Sequence, residues 1–222
     1  MAHVDFFSHL HKKTQRNYLE RAARGDKAHC AEVAKRFGAD YWDGDRKYGY
    51  GGYRYDGRYA SVAKALVDHY GLKAGRSVLD VGCGKGFLLH ELKVLVPQLE
   101  VQGLDISAYA IERAKEEVKP FLSQGRAQEL PYEDGTFDLV ISITTLHNLY
   151  IYDLEKALKE IERVKKPEGS GYIVVESYRN EKEKDNMLNW QLTCECFFTP
   201  QEWEWLFRKF GYSGDYSFIY FE

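Results

Sequence analysis

Ser77-Val-Leu-Asp-Val-Gly-Cys-Gly-Lys-Gly-Phe87 is the stretch whose reading decides the fold. Val78, Leu79 and Val81 form a short aliphatic and β-branched run. Gly82, Gly84 and Gly86 then arrive at alternate positions, and a helical pattern opens at Lys85. The order is strand, tight glycine turn, helix. Glycine is needed because the backbone must turn sharply and lie against a ligand with no Cβ in the way, while the free N–H groups of the new helix face the same spot. A second short strand, Glu100-Val-Gln-Gly-Leu-Asp105, ends in a carboxylate placed to accept hydrogen bonds from two ribose hydroxyls. Together these features describe a nucleoside site.

A dinucleotide fingerprint, G-x-G-x-x-G/A, needs a small residue at position 87, where this chain has Phe87 and brings its third glycine one place early. The pattern is instead D-x-G-x-G-x-G, over Asp80, Gly82, Gly84 and Gly86. It resembles motif I of the class I S-adenosylmethionine (SAM)-dependent methyltransferases, and Asp105-Ile-Ser resembles their acidic motif II. The resemblance continues through Ala127-Gln-Glu-Leu-Pro-Tyr-Glu-Asp-Gly-Thr-Phe-Asp-Leu-Val-Ile-Ser142 and Leu146-His-Asn-Leu149, so it spans roughly residues 60 to 222.

The resemblance implies an α/β fold, a Rossmann-like doubly wound and mostly parallel sheet, with SAM as cofactor, S-adenosylhomocysteine as product and no metal. The cofactor contacts it implies are Asp80, Gly82, Gly84, Gly86, Asp105, Ile106, Ala127, Gln128 and Ser142. In the family an aspartate reaches the adenine amino group. Here Arg126 takes that place and cannot accept the bond, so the Ala127 backbone and the Gln128 side chain are expected to hold the base. The family sheet has seven strands and ends in an antiparallel hairpin. Only one clear strand, Tyr216 to Phe221, closes this chain, so the last strand or two are expected to be short or missing. An edge left exposed that way would favour a homodimer.

Before the core, Thr14 to Arg24 and Asp26 to Phe37 read as short helices, with Thr14 and Asp26 as N-caps and Gly25 and Gly38 as stops. Residues 1–58 are expected to form a helical and aromatic cap, and 59–222 the SAM-binding domain; about 40 residues seldom hold a core alone. The linker Tyr41 to Tyr59 alternates tyrosine with glycine and admits two readings. It is an extended surface segment laid on the core, or it is a substrate lid ahead of the helix Tyr59 to Tyr70. As a lid it brings Tyr53, Arg54, Tyr55 and Arg58 to the acceptor, the arginines suiting a carboxylate or phosphate.

Helices are expected at Lys85 to Val96, Ser107 to Lys119, Asp153 to Lys166, Asn180 to Asn189 and Thr199 to Phe210, and strands near Phe121 to Ser123, at Phe137 to Ile143 and at Tyr172 to Ser177. Strand and helix alternate with short connections, as a parallel sheet requires. His147 follows the fourth strand at the carboxyl end of the sheet, where ligands bind in open α/β folds. It either touches the chemistry or only shapes the pocket. Glu176, Tyr178 and Arg179 leave the fifth strand on the same rim, as site residues or as a solvated strand end. His147 and Glu176 are the candidate general bases, and Tyr178 and Arg179 candidate acceptor contacts.

With 222 residues, 44% hydrophobic and 29% charged, the composition is that of one globular domain. A net charge of −3 with interleaved signs argues against a nucleic-acid footprint. No apolar run approaches the roughly 18 residues of a membrane span, and the opening Met1-Ala-His-Val-Asp-Phe-Phe lacks a basic region followed by a hydrophobic stretch. A cytoplasmic setting is therefore expected, with no membrane and no nucleic acid as partner. Cys30, Cys83, Cys194 and Cys196 show no C-x-x-C pair and are read as reduced thiols. Methyl transfer to O or N of a small-molecule acceptor leads the readings: a sugar, a sugar nucleotide or a phosphorylated or phosphoramidate-type metabolite. At whole-chain level, Tyr50-Gly-Gly-Tyr53 and Glu176-Ser-Tyr-Arg-Asn180 resemble bacterial methyltransferases of surface-polysaccharide pathways. Methylation of protein or RNA, and a non-catalytic SAM-binding module, are the alternatives.

Overall fold

A computed structural model describes residues 1–11, 17–23 and 25–222. Among them six strands form one sheet: β1 (Ser77–Val81), β2 (Glu100–Asp105), β3 (Leu122–Gln124), β4 (Phe137–Ile143), β5 (Lys165–Glu176) and β6 (Asp215–Ile219). Their order is β3-β2-β1-β4-β5-β6 and every neighbouring pair is parallel. The winding reverses between β1 and β4. Both strands end there at one crevice, the switch point where open α/β sheets bind ligands.

The helices are α1 (Ser8–His11), α2 (Tyr18–Ala23), α3 (Lys27–Ala34), α4 (Ala39–Trp42), α5 (Ala60–Tyr70), α6 (Phe87–Leu95), α7 (Ala108–Glu112), α8 (Ile151–Val164), α9 (Glu181–Trp190) and α10 (Pro200–Lys209). Alternation along the strands divides the core. Val78, Leu139, Ile141 and Val174 face α5 and α6, packing on Leu66, Leu89 and Leu92. Leu79, Val140, Ile173 and Val175 face α8 and α10, packing on Leu158, Ile161, Trp203 and Phe207. Strands buried on both faces are the mark of a sheet covered by helices. Thr199 caps α10 through a capping box with Glu202, with Pro200 at the first position.

The expected helix from Ser107 to Lys119 is cut to α7 because the Lys115 N–H turns back to the Lys85 carbonyl at 3.1 Å, tying the chain to the glycine turn before β3 begins. β5 starts at Lys165, well before Tyr172, and a register shift separates the Phe137–Lys165 pairing from Leu139–Ser170. The candidate cap at Thr14 lies outside the described residues, and Asp26 makes no side-chain cap bond to α3.

The outer edge of β6 is not bare. The Val4 N–H donates to the Tyr216 carbonyl at 2.9 Å, and the Tyr216 N–H to the Ala2 carbonyl at 3.0 Å, in a parallel bridge centred on His3. The sheet is thus all parallel, and the edge expected to invite a partner is covered by the chain's own first residues. Phe7 then plunges into the core under α5. Among the described residues no helix is long and apolar enough to cross a membrane.

Candidate functional site

The glycine turn is built for close approach. Gly82 has φ +85°, and a Cβ there would lie 2.0 Å from Thr145 Oγ1; Gly84 has φ +55°, and a Cβ would meet the Trp42 ring at 3.0 Å. Gly86 serves as the left-handed N-cap of α6. The turn opens on a cavity of about 380 Å³. Asp105 closes one side, its Oδ2 accepting from Gly84 N–H at 2.7 Å and its Oδ1 from Ser107 N–H at 2.8 Å. Burial nevertheless raises its carboxyl above the ordinary carboxylate range, while those two bonds pull the other way. Asp80, buried beside it, is pushed up to about 8 by burial and then by the charge of Asp105.

Ile106, Ala127 and Gln128 line the far end of this cavity together with Arg126. Ser142 does not reach it. Its side chain is fully buried between β1 and β4, and the hydroxyl donates to the Val81 carbonyl at 2.8 Å. The residue belongs to the sheet interior rather than to the cofactor wall, because strand alternation turns it away from the rim.

The aromatic linker lies over the turn. Trp42 donates through Nε1 to Ser107 Oγ at 2.9 Å, and Tyr53 stacks on Phe87 with centroids 5.0 Å apart. Lys85 extends from the turn to both carboxylate oxygens of Asp43 and to the Tyr53 carbonyl. The segment lies along the cavity and supplies Tyr41, Trp42, Tyr50, Tyr53 and Tyr59 to its lining.

A second cavity, of about 300 Å³, abuts the first. Tyr41, Tyr50, Tyr53, Tyr59, Thr144 and Asn148 line both, so they form the partition between them. Burial raises the hydroxyls of Tyr50 and Tyr53 well above the usual phenol range and that of Tyr41 to about 12, which keeps all three neutral. Thr144 holds φ +55°, costly for a β-branched residue, at the end of β4. The Asn148 amide donates to the Thr144 carbonyl at 3.4 Å, and its buried Oδ1 has no hydrogen-bond partner among the described residues.

His147 and Glu176 face the second cavity together. Nδ1 of His147 accepts the Glu176 backbone N–H at 3.3 Å, which leaves the ring proton on Nε2, 3.4 Å from Oε2 of the same glutamate. Gln191, just past α9, donates to that oxygen as well. The Glu176 carbonyl accepts the Trp203 indole N–H at 3.0 Å, and the His147 carbonyl accepts N–H groups from Glu195 and Cys196 at 2.9 and 3.0 Å. The dyad is held from both its backbone and its side chains.

Arg54 and Arg58 line this second cavity, with Tyr53 in the partition. Tyr55 lies elsewhere: its hydroxyl donates to Glu91 of α6 at 2.8 Å, and Lys115 sits over its ring. Tyr178 and Arg179 also lie away from both cavities. Arg179 pairs with Glu183 and Glu222, and Tyr178 packs beside Met187 and Phe221. The cause is the chain's course after Ser177, which swings outward into α9 instead of following the rim. Sequence reasoning missed Arg21, Arg46, Trp42, Asn148 and Gln191. Trp42 could have been suspected from its place in the aromatic run; the others carry no local signal. All four cysteines are buried free thiols, and burial pushes Cys196 up to about 12. Among the described residues no three His, Cys, Asp or Glu side chains gather to hold a metal.

The profile of a family described as "Methyltransferase domain" matches residues 72–211. A demethylmenaquinone methyltransferase of Staphylococcus aureus is 38% identical over 111 residues, covering 48% of this chain and 45% of the relative. The chain thus spans about half the length of the curated relatives it matches. Among solved structures, the YcgJ protein of Bacillus subtilis superposes with a TM-score of 0.56 at 24% identity, over 67% of this chain and 66% of that one. Geranyl diphosphate C-methyltransferase of Streptomyces coelicolor, solved with S-adenosylhomocysteine, gives 0.56 at 15% identity, over 68% and 59%. These two likenesses establish the fold.

Proposed function

This chain belongs to the methyltransferase-domain family, and on that premise we propose that it transfers the methyl group of SAM to an oxygen or nitrogen of a small polar acceptor. The observation that carries the reading is the partition. A glycine-turn cavity with a paired-carboxylate wall shares one lining with a second cavity that holds a buried His–Glu dyad.

The residues of the first cavity fit the donor. Gly82 and Gly84 let the turn run along the cavity wall in a backbone conformation that side chains rarely adopt, Asp105 stands at the end of β2 for the ribose, and Ile106, Ala127 and Gln128 frame the base. Asp80 and Asp105 suit a ligand that carries positive charge. When bound, the donor supplies a methyl already activated on a sulfonium. The protein's share is then placement and exclusion of water, and good orientation supplies roughly 7–11 kcal/mol. The aromatic cover and the tyrosine partition serve both needs.

On the acceptor side, Glu176 is the proton-accepting group that the second cavity presents. His147 sets its Nε2 toward that carboxylate and so orients it. A base so held is worth roughly 10²–10⁴-fold for a hydroxyl acceptor. The sugar and phosphorylated-metabolite classes fit the polar lining; the surface-polysaccharide association rests on the sequence resemblance alone.

Isothermal titration calorimetry with SAM, S-adenosylhomocysteine and NAD tests the reading. Both sulfur nucleosides should bind, NAD should not, and Asp105→Ala should lose binding. Failure of both sulfur nucleosides to bind would remove the proposal's foundation.

A further inference from the structure

The two cavities differ in charge. Asp105, Asp153 and Glu195 line the first against Lys35 and Arg126, with Asp80 protonated beside them, and Lys35 is paired with Glu195 at 2.5 Å. Arg21, Arg46, Arg54 and Arg58 line the second, where Glu176 is the one carboxylate among the described lining residues. Arg58 is discounted, because Asp56 holds it in a bidentate pair. Arg54 makes no hydrogen bond or ion pair among the described residues.

The arginines converge from three places: Arg21 from α2, and Arg46 and Arg54 from either side of the Tyr-Gly run. Arg21 donates to the carbonyls of Trp190 and Arg46 at 2.8 Å each, Arg46 donates through one guanidinium nitrogen to the Gly49 carbonyl, and the Arg21 and Arg46 guanidiniums lie over the Trp190 ring, at 4.3 and 5.1 Å from its centroid. Trp190 adjoins Gln191, which holds the Glu176 carboxylate. The cavity therefore has a proton-accepting end at the dyad and a cationic end one residue away along the chain. Guanidinium forks gathered in a partly enclosed cavity match the oxygens of a phosphoryl group.

We infer that the acceptor carries a phosphate, held by Arg46 and Arg54 with Arg21 behind them, while its hydroxyl or amine lies at Glu176. This narrows the acceptor to a phosphate ester or nucleotide-linked compound and excludes a neutral sugar. The inference rests on the donor–acceptor reading of the two cavities.

The test titrates inorganic phosphate into the protein, with and without saturating S-adenosylhomocysteine, against acetate at matched ionic strength. Trp190 is the reporter, with Trp190→Phe assigning the signal. Phosphate should bind saturably and change Trp190 emission, and acetate should bind far more weakly. Arg54→Ala and Arg46→Ala should each weaken phosphate by about tenfold, the loss of one charged hydrogen bond, while S-adenosylhomocysteine affinity stays as in the wild type. That unchanged affinity also shows that the variants are folded. Phosphate that fails to bind, binds no better than acetate, or ignores both substitutions overturns the inference. If phosphate binds as expected but S-adenosylhomocysteine does not, the anion site stands and the methyltransferase reading falls.

Discussion

Lys85 reaches out of the glycine turn and donates to both carboxylate oxygens of Asp43, at 2.8 and 2.7 Å, across the seam between the nucleotide-binding core and its aromatic cover. The lysine side chain is 6% exposed and the aspartate 31%, so the pair is partly shielded from water. Tyr109 adds a third bond to the same carboxylate at 2.9 Å. Asp43→Ala leaves a buried ammonium with one carbonyl partner. A cost of about 2 kcal/mol is expected, lowering the melting temperature by roughly 5 °C in a chain of this size. Proteolysis should reach the 42–58 segment first, and a cutting pattern like the wild type's would refute the latch.

Asp80 makes donor binding pH-dependent. Its carboxyl, raised to about 8 from 3.8, keeps a proton in the ligand-free fold that the unfolded chain has released. Folding stability from this group therefore declines as pH rises from about 4 to about 8 and levels off above. Binding of a positively charged donor runs the other way, since only the ionised carboxylate attracts it. SAM affinity should rise about tenfold between pH 7 and pH 9, following the ionised fraction. Calorimetry on Asp80→Asn should show a flat profile; a slope retained in that variant would assign the effect to another group.

Gly82→Ala should be severe. The new methyl would lie 2.0 Å from Thr145 Oγ1 at a backbone φ of +85°, so both the steric and the conformational terms oppose it. A loss of roughly 2–4 kcal/mol is expected, with S-adenosylhomocysteine binding abolished. Denaturant unfolding and calorimetry on one preparation would check both parts.

Glu176→Gln separates chemistry from binding. It keeps the shape of the side chain that Gln191 and His147 hold, and it removes the base. Methyl transfer to a hydroxyl acceptor should fall by roughly 10²–10⁴-fold, with S-adenosylhomocysteine affinity unchanged because the donor cavity does not include this residue. An amine acceptor, needing only placement, would show a much smaller loss.

Much of this was legible in the sequence, and the physical reason differs by region. The glycine spacing, the apolar run Phe137–Ile143 and the acid ending β2 are local signals whose consequences are local, so the first cavity follows from them. The second cavity is different. His147 and Glu176 were visible because Glu176 ends β5 and His147 follows β4 on the same rim, yet their mutual geometry depends on which backbone N–H the imidazole accepts. Arg21 reaches the cavity because α2 packs on α9, and Arg46 because the linker after α4 lies over Trp190, contacts with no sequence periodicity behind them. Tyr178 and Arg179 failed for the converse reason: adjacency to Glu176 along the chain does not survive the outward swing into α9.

Val4→Pro removes the N–H that bonds to Tyr216 and so uncovers the edge of β6. About 1 kcal/mol of stability should be lost, and sedimentation should reveal concentration-dependent self-association where the unaltered protein shows less. Equal behaviour of the two would mean that Asp215 and Tyr172, which bond to Ala2, Val4 and Phe6 through their side chains, hold the segment without it.

That bridge joins residues 2–4 to Tyr216, and the Ala2 N–H meets Asp215 at a separation of 213 positions. A pairing of that range carries its loop-closure cost before it returns any stability. Segment 2–4 therefore docks late, on a strand already held by β5. In refolding, its amides should gain protection from hydrogen exchange after those of β1 and β4.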